Sequence, residues 1–142
     1  MPKLNKTKPD YWYKQSAVVP FRNNGSIEIL LITTRKKKKW IIPKGIIEEN
    51  LTPSQSAEKE ALEEAGIIGV VSKKTIGKYK YTKWGGTCTV KVFAMEVNEL
   101  HETWEEDFRE RKWVPLNQVK NEINDDKLIK IIESFFSENG DI

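Results

Sequence analysis

At 142 residues and 38% hydrophobic content, the chain can bury one sizeable core and is too short for two ordinary domains. One domain over residues 1–142, with 1–12 as a flexible lead-in, is therefore expected. A lone cysteine, Cys88, excludes an internal disulfide, the start from Met1 to Asp10 lacks the apolar stretch of a signal peptide, and no apolar run reaches the ~18 residues of a membrane span. A soluble, cytoplasmic protein with no membrane partner is expected. The net charge of +3 is unevenly placed: Arg35 to Lys39 is an uninterrupted basic run, Lys73 to Lys83 carries five lysines, and acids gather at 58–64 and 102–110. Basic next to acidic clusters fit a polyanion site beside a cation site, or else a set of solvated loops.

In chain order, Ser16–Phe21 and Ile27–Thr33 are rich in β-branched and aliphatic residues and flank Asn23-Asn24-Gly25, which predicts a hairpin. Trp40-Ile41-Ile42 is a short strand stopped by Pro43. Thr52-Pro53-Ser54-Gln55 has the features of a helix start, with Thr as N-cap, Pro at the first position and Gln closing a capping box, and Gly66 marks its end. Lys74–Tyr81 and Thr87–Val97 are two strands joined across Trp84-Gly85-Gly86. An acidic loop from Asn98 to Glu110 leads to a short strand at Trp113-Val114. Leu128, Ile131, Ile132 and Phe135 follow the spacing of an amphipathic helix opened by Asp125 or Asp126. Strands interspersed with two helices predict a layered α/β or α+β domain.

The segment 52–66 carries the chemistry. At about 100° per residue, Glu63 and Glu64 fall within ~60° of Glu60, beside an apolar stripe of Ala57, Ala61 and Ala65. Carboxylates crowded at i, i+3 and i, i+4 repel one another and call for a counter-cation. Three of them supply hard oxygen ligands suited to Mg²⁺, with Mn²⁺ as an alternative. A merely solvated acidic face is the competing explanation.

Around that helix, Gly45, Glu60, Glu63, Glu64, Gly66 and Ile67 fall in a frame that resembles the Nudix box, G-x5-E-x7-R-E-U-x-E-E-x-G-U, where U is bulky and aliphatic. Ala61 is a smaller residue at the first aliphatic site. Leu51 replaces the Glu of the box and Lys59 its Arg, two residues that in the family brace the loop on the helix. Looser matches from Tyr13 to Val119 are closest to the branch of diphosphoinositol polyphosphate phosphohydrolases and dinucleoside polyphosphate hydrolases. They include Lys14-Gln15-Ser16-Ala17, Trp40-Ile41-Ile42-Pro43-Lys44-Gly45 and Trp104-Glu105-Glu106-Asp107.

The resemblance implies an α/β fold, a Nudix-type α/β/α sandwich with a mixed β-sheet, and a Mg²⁺-dependent hydrolase of diphosphate bonds. Gly45, through its carbonyl, and Glu60, Glu63 and Glu64 would hold the metal. Glu63 would orient or deprotonate the attacking water, with Glu105 or Glu106 of the later loop as the other choice of base. Lys14, Thr34, Arg35, Lys37, Lys39 and Lys44 would meet the phosphates of a polyphosphorylated small molecule, as a monomer or homodimer. The single histidine, His101, excludes a histidine-pair zinc site. Lys80, Tyr81, Lys83 and Trp84 interleave bases with aromatics but are read as a strand edge, so nucleic acid is not the expected partner. A Nudix-like module that binds a polyphosphorylated ligand or RNA without cleaving it is the alternative, favoured by Leu51 and Lys59 and opposed by the intact glutamates.

Overall fold

The computed structural model describes residues 5–138. Residues 1–4 of the expected lead-in lie outside them. From residue 5 onward the lead-in is tied down: the Thr7 amide donates to the Trp84 carbonyl at 3.0 Å. Asp10–Tyr13 form a 3₁₀ turn that buries Tyr13.

An eight-stranded mixed sheet organises the molecule. Strands β1 (Lys14–Asn23) and β2 (Ile27–Thr33) form the expected hairpin, their register closing at Asn23 opposite Ile27. The turn needs a left-handed residue, supplied by Gly25 at φ 92°. Strand β3 (Trp40–Ile41) pairs with the end of β2 on the side that β1 takes, and β8 (Arg111–Pro115) pairs with β2 on its outer side. Strand β4 (Lys44–Ile46) pairs with the start of β1.

The longest strand, β7 (Gly86–Leu100), runs parallel to β1. Its first half carries β6 (Gly77–Lys83) on the other side, and its second half carries β5 (Ile67–Val71). Neither β4 nor β5 was among the elements expected in chain order. Both are short and gain their strand geometry from a long-range partner.

Alternation along β1 and β7 sends side chains to two cores. On one face Val18, Phe93 and Met95 pack against Ala57, Ala61 and Ala65 of the carboxylate helix. On the other, Ala17, Val19, Val90 and Val92 join a core that includes Leu128, Ile132 and Phe136 of α3 (Asp126–Glu138). Burying one apolar stripe on each side produces the α/β/α layering. A short α2 (Val119–Glu122) precedes α3. Among the described residues no helix is long and apolar enough to cross a membrane.

Helix α1 (Pro53–Glu60) starts as its sequence dictates. The Thr52 hydroxyl accepts from the Gln55 amide at 3.1 Å, and the Gln55 side chain accepts from the Thr52 amide at 2.9 Å. Its continuation, Ala61–Ala65, widens into a π-helical turn that ends at Gly66 in the left-handed conformation, φ 65°. Regular 100° steps therefore stop where Glu63 and Glu64 begin, and such widenings occur frequently at functional sites.

Candidate metal and phosphate site

The widened turn lies against the start of β4. A Cβ at Gly45 would run into the Glu60 carboxylate, so only glycine lets that side chain lie flat on the strand. The Glu64 carboxylate, 8% exposed, accepts from the Lys44 amide at 3.2 Å. Glu60 and Glu64 face each other. Burial is the main cause that raises both pKa values; repulsion from Glu60 adds to it and pushes Glu64 up to about 8. Two such carboxyls cannot both ionise cheaply without a cation between them.

Glu63 takes another direction. Its carboxylate receives Lys59 Nζ at 2.7 and 3.1 Å, and the same ammonium lies 2.9 Å from Glu48 Oε2. Leu51 offers Lys59 no carboxylate, and the brace is rebuilt elsewhere: Glu48, three positions earlier in the loop, supplies the carboxylate that joins loop to helix. With Glu63 turned to Lys59, no three His, Cys, Asp or Glu side chains among the described residues already form a metal cage.

The acidic loop at 101–110 closes the site. The Glu106 amide donates to the Glu63 carbonyl at 3.0 Å. Arg109, 8% exposed, donates to Glu106 Oε1 at 2.8 and 3.1 Å and to the Thr33 carbonyl at 2.8 Å. Its charge also lowers the Glu64 pKa, against the effect of burial. Trp104 Nε1 donates to the Glu64 carbonyl at 3.0 Å, and Arg111 donates to the Ala65 carbonyl at 2.8 Å while stacking on Trp104. These donors satisfy carbonyls that a helix end leaves unpaired. Glu105 lies exposed in the same turn, with no side-chain hydrogen bond, and Glu106 is the carboxylate held against the helix.

The expected phosphate-binding residues are spread over three places. Arg35 extends from the β2–β3 turn to within 3.7 Å of Glu106. Thr34 ties that turn together, its carbonyl accepting from Lys37, and Lys37 to Lys39 are exposed around it, Lys37 at φ 56°. Lys44 is not free: its ammonium donates to Gln15 Oε1 and to the Tyr81 hydroxyl, both at 3.0 Å, on the α3 face of the sheet. Burial lowers its pKa. Lys14 lies exposed at the start of β1, on the α1 face. Arg109 and Glu48 escaped the sequence reading, because one pairs with Thr33 across the chain and the other replaces a box residue from a position that the box leaves unspecified.

Comparison with known proteins identifies the family. The model of the NUDIX domain matches residues 12–135. Nudix hydrolase 21, chloroplastic, of Arabidopsis thaliana is 32% identical over 127 residues, covering 84% of this chain and 64% of that protein. Diphosphoinositol polyphosphate phosphohydrolase 3-alpha of Mus musculus is 32% identical over 124 residues, covering 82% and 74%. The chain spans only 57% of another Arabidopsis relative, Nudix hydrolase 13, mitochondrial. Among solved structures, a C. elegans Ap4A hydrolase binary complex superposes with a TM-score of 0.74 at 22% identity, covering 87% of this chain and 94% of that one. With a domain match over nearly its whole length and the glycine, helix and carboxylates of the box in place, the chain belongs to the Nudix family.

Proposed function

We propose that the chain is a divalent-metal-dependent hydrolase of diphosphate bonds in polyphosphorylated small molecules such as dinucleoside polyphosphates or inositol pyrophosphates. The observation that carries this reading is the Glu60–Glu64 pair, two mutually repelling carboxyls, with the half-buried Glu60 against Gly45 and the buried Glu64 pushed up to about 8. Such a pair fits a hard cation: Glu60, Glu64 and the Gly45 carbonyl would hold Mg²⁺ or Mn²⁺, and Glu63 would join them on leaving Lys59. When bound, the ion supplies charge for the phosphate oxygens and a more acidic water.

The residues of the chain do the rest. Glu63, or Glu106 of the loop, would accept the proton of the attacking water, and the Arg109 guanidinium fixes Glu106. Arg35, beside Glu106, and the lysines of the β2–β3 turn meet the phosphates, since cations replace the water that solvates their oxygens. Rebuilding of the brace through Glu48 supports turnover over mere binding.

Purified protein with Mg²⁺ is to be incubated with diadenosine polyphosphates, an inositol pyrophosphate, ADP-ribose and nucleoside triphosphates. Turnover is expected for the longer phosphate chains. The reading fails if nothing is cleaved, or if Glu63→Gln and Glu64→Gln both keep full activity.

A further inference from the structure

Gly45 begins a straight row across the sheet. Its Cα partner on β1 is Ser16, the partner of Ser16 on β7 is Lys91, and the partner of Lys91 on β6 is Lys78. Paired residues point to the same face, here the α1 face on which Glu60 lies. A second row runs beside it through Lys14, Thr89 and Lys80. With strands about 4.8 Å apart, Lys91 and Lys78 stand roughly 10 and 15 Å from Gly45.

All four lysines are exposed, and none of them has an ion-pair partner among the described residues. Lys78 and Lys91 are directly opposed, an arrangement that destabilises a sheet. Ser16, at 0% exposure, carries a hydroxyl with no hydrogen-bond partner, between the loop glycine and Lys91. A hollow of about 890 Å³ opens on this face, walled by Tyr11, Lys14 and Lys91 on one side and by Ile46, Ile47 and Leu51 on the other. Tyr11 is 58% exposed at its rim. Glu48 on the loop wall is already neutralised by Lys59, which leaves Glu49 as the other acid there. Leu51 is the position at which the Nudix box has Glu, so this part of the wall adds no further charge that would repel an anion.

We infer that the Lys14, Lys78, Lys80 and Lys91 rows form a second phosphate site, which holds the part of a polyphosphorylated substrate beyond the diphosphate that is cleaved. This rests on the function proposed above and names the substrate property it selects: phosphates strung about 10–15 Å from the glutamates. Lysines suit that task, because flexible point charges follow a phosphate chain without demanding one bidentate geometry. Substrates with only two phosphates cannot fill both places.

Two experiments test it independently of one another. In the first, inorganic tripolyphosphate is titrated without metal and followed by amide shifts. Shifts at residues 14, 16, 78, 80 and 91 are expected, and Lys78→Gln/Lys91→Gln is expected to weaken binding about tenfold. Lys78→Glu, which places an acid opposite Lys91, should weaken it further while raising Tm, so lost affinity is not mistaken for misfolding. Shifts confined to 34–39, no binding, or unchanged affinity in the double variant would overturn the inference. In the second, kcat/KM for diadenosine tetraphosphate relative to ADP-ribose should fall about tenfold in the double variant, mainly through KM. An equal loss on both substrates overturns the site. A chain that binds tripolyphosphate on these rows but cleaves nothing refutes the hydrolase reading and leaves the site standing.

Discussion

Helices α1 and α3 cover opposite faces of the same sheet and are built to different ends. Helix α3 is regular, its start capped by Asp125, whose Oδ1 accepts from the amides of Lys127 and Leu128 at 3.1 and 3.2 Å. It gives Leu128, Ile132 and Phe136 to the core. Helix α1 starts equally well, on its capping box, but ends in a widened turn with Glu60, Glu63 and Glu64 at the C-terminal end. There the helix dipole is negative and carboxylates are disfavoured. One helix is arranged for stability throughout; the other gives up stability in its last turns, where the site lies.

That contrast is sharpest at Glu64. Glu64→Gln is expected to lower kcat by about 100-fold or more with Mg²⁺ present, the scale of losing one preorganised electrostatic group, and yet to raise Tm of the metal-free protein. If Tm falls instead, α1 is not under the strain ascribed to it. A pH dependence follows from the same group. Its folded pKa, about 8, lies above the ordinary carboxyl value of 4.5, so between the two the folded state holds a proton that the unfolded state has released. Metal-free stability should therefore fall as pH rises through that window and level off above it. Thermal melts across the window should show the fall in the native protein and lose most of it in Glu64→Gln.

A smaller effect is expected at the brace. Glu48→Gln should weaken Mn²⁺ binding, read by electron paramagnetic resonance, about tenfold, the scale of losing a residue that orients a ligand. Adding Leu51→Glu and Lys59→Arg, which restores the family pair, should recover most of that loss; no recovery would mean that Glu48 does something other than brace. The smallest effect belongs to α3. Asp125→Ala should cost about 1 kcal/mol in urea unfolding, as for other N-caps, and a much larger loss would show that α3 depends on its cap more than on its core.

The two helices were also unequally legible. Helix α3 could be read from spacing alone, because its apolar stripe is local and its neighbours merely cover it. The start of α1 was equally plain in Thr52 to Gln55, and the carboxylates were visible through charge crowding and the box. What could not be read was the parting of Glu63 from Glu60 and Glu64, since regular helical spacing does not anticipate the widened turn over Ala61–Ala65 or the pull of Lys59, held by Glu48, on Glu63. Strand β4 was hidden for a similar reason, three residues carrying too little pattern of their own, whereas β5 showed only as a strand-sized apolar run from Ile67 to Val71 with no partner assigned. The role of Arg109 and the lysine rows emerge only when β1, β6, β7 and the acidic loop are set in register. Hairpins, caps and stripes are written locally, whereas the site is assembled from segments far apart.

The parallel pairing of β1 with β7, which joins Lys14 to Thr89, has a kinetic consequence. Closing so long a loop is entropically slower than forming the neighbouring hairpins, β1–β2 and β6–β7. A ribosome that has released the chain only as far as Ile67 has already delivered every residue of the box. Yet β1 then has no partner on its inner side, and the strand that seats Gly45 rests on β1. The seat of the glutamates must therefore await the arrival of β7, so in synthesis the segment that carries the box is complete before the sheet that positions it.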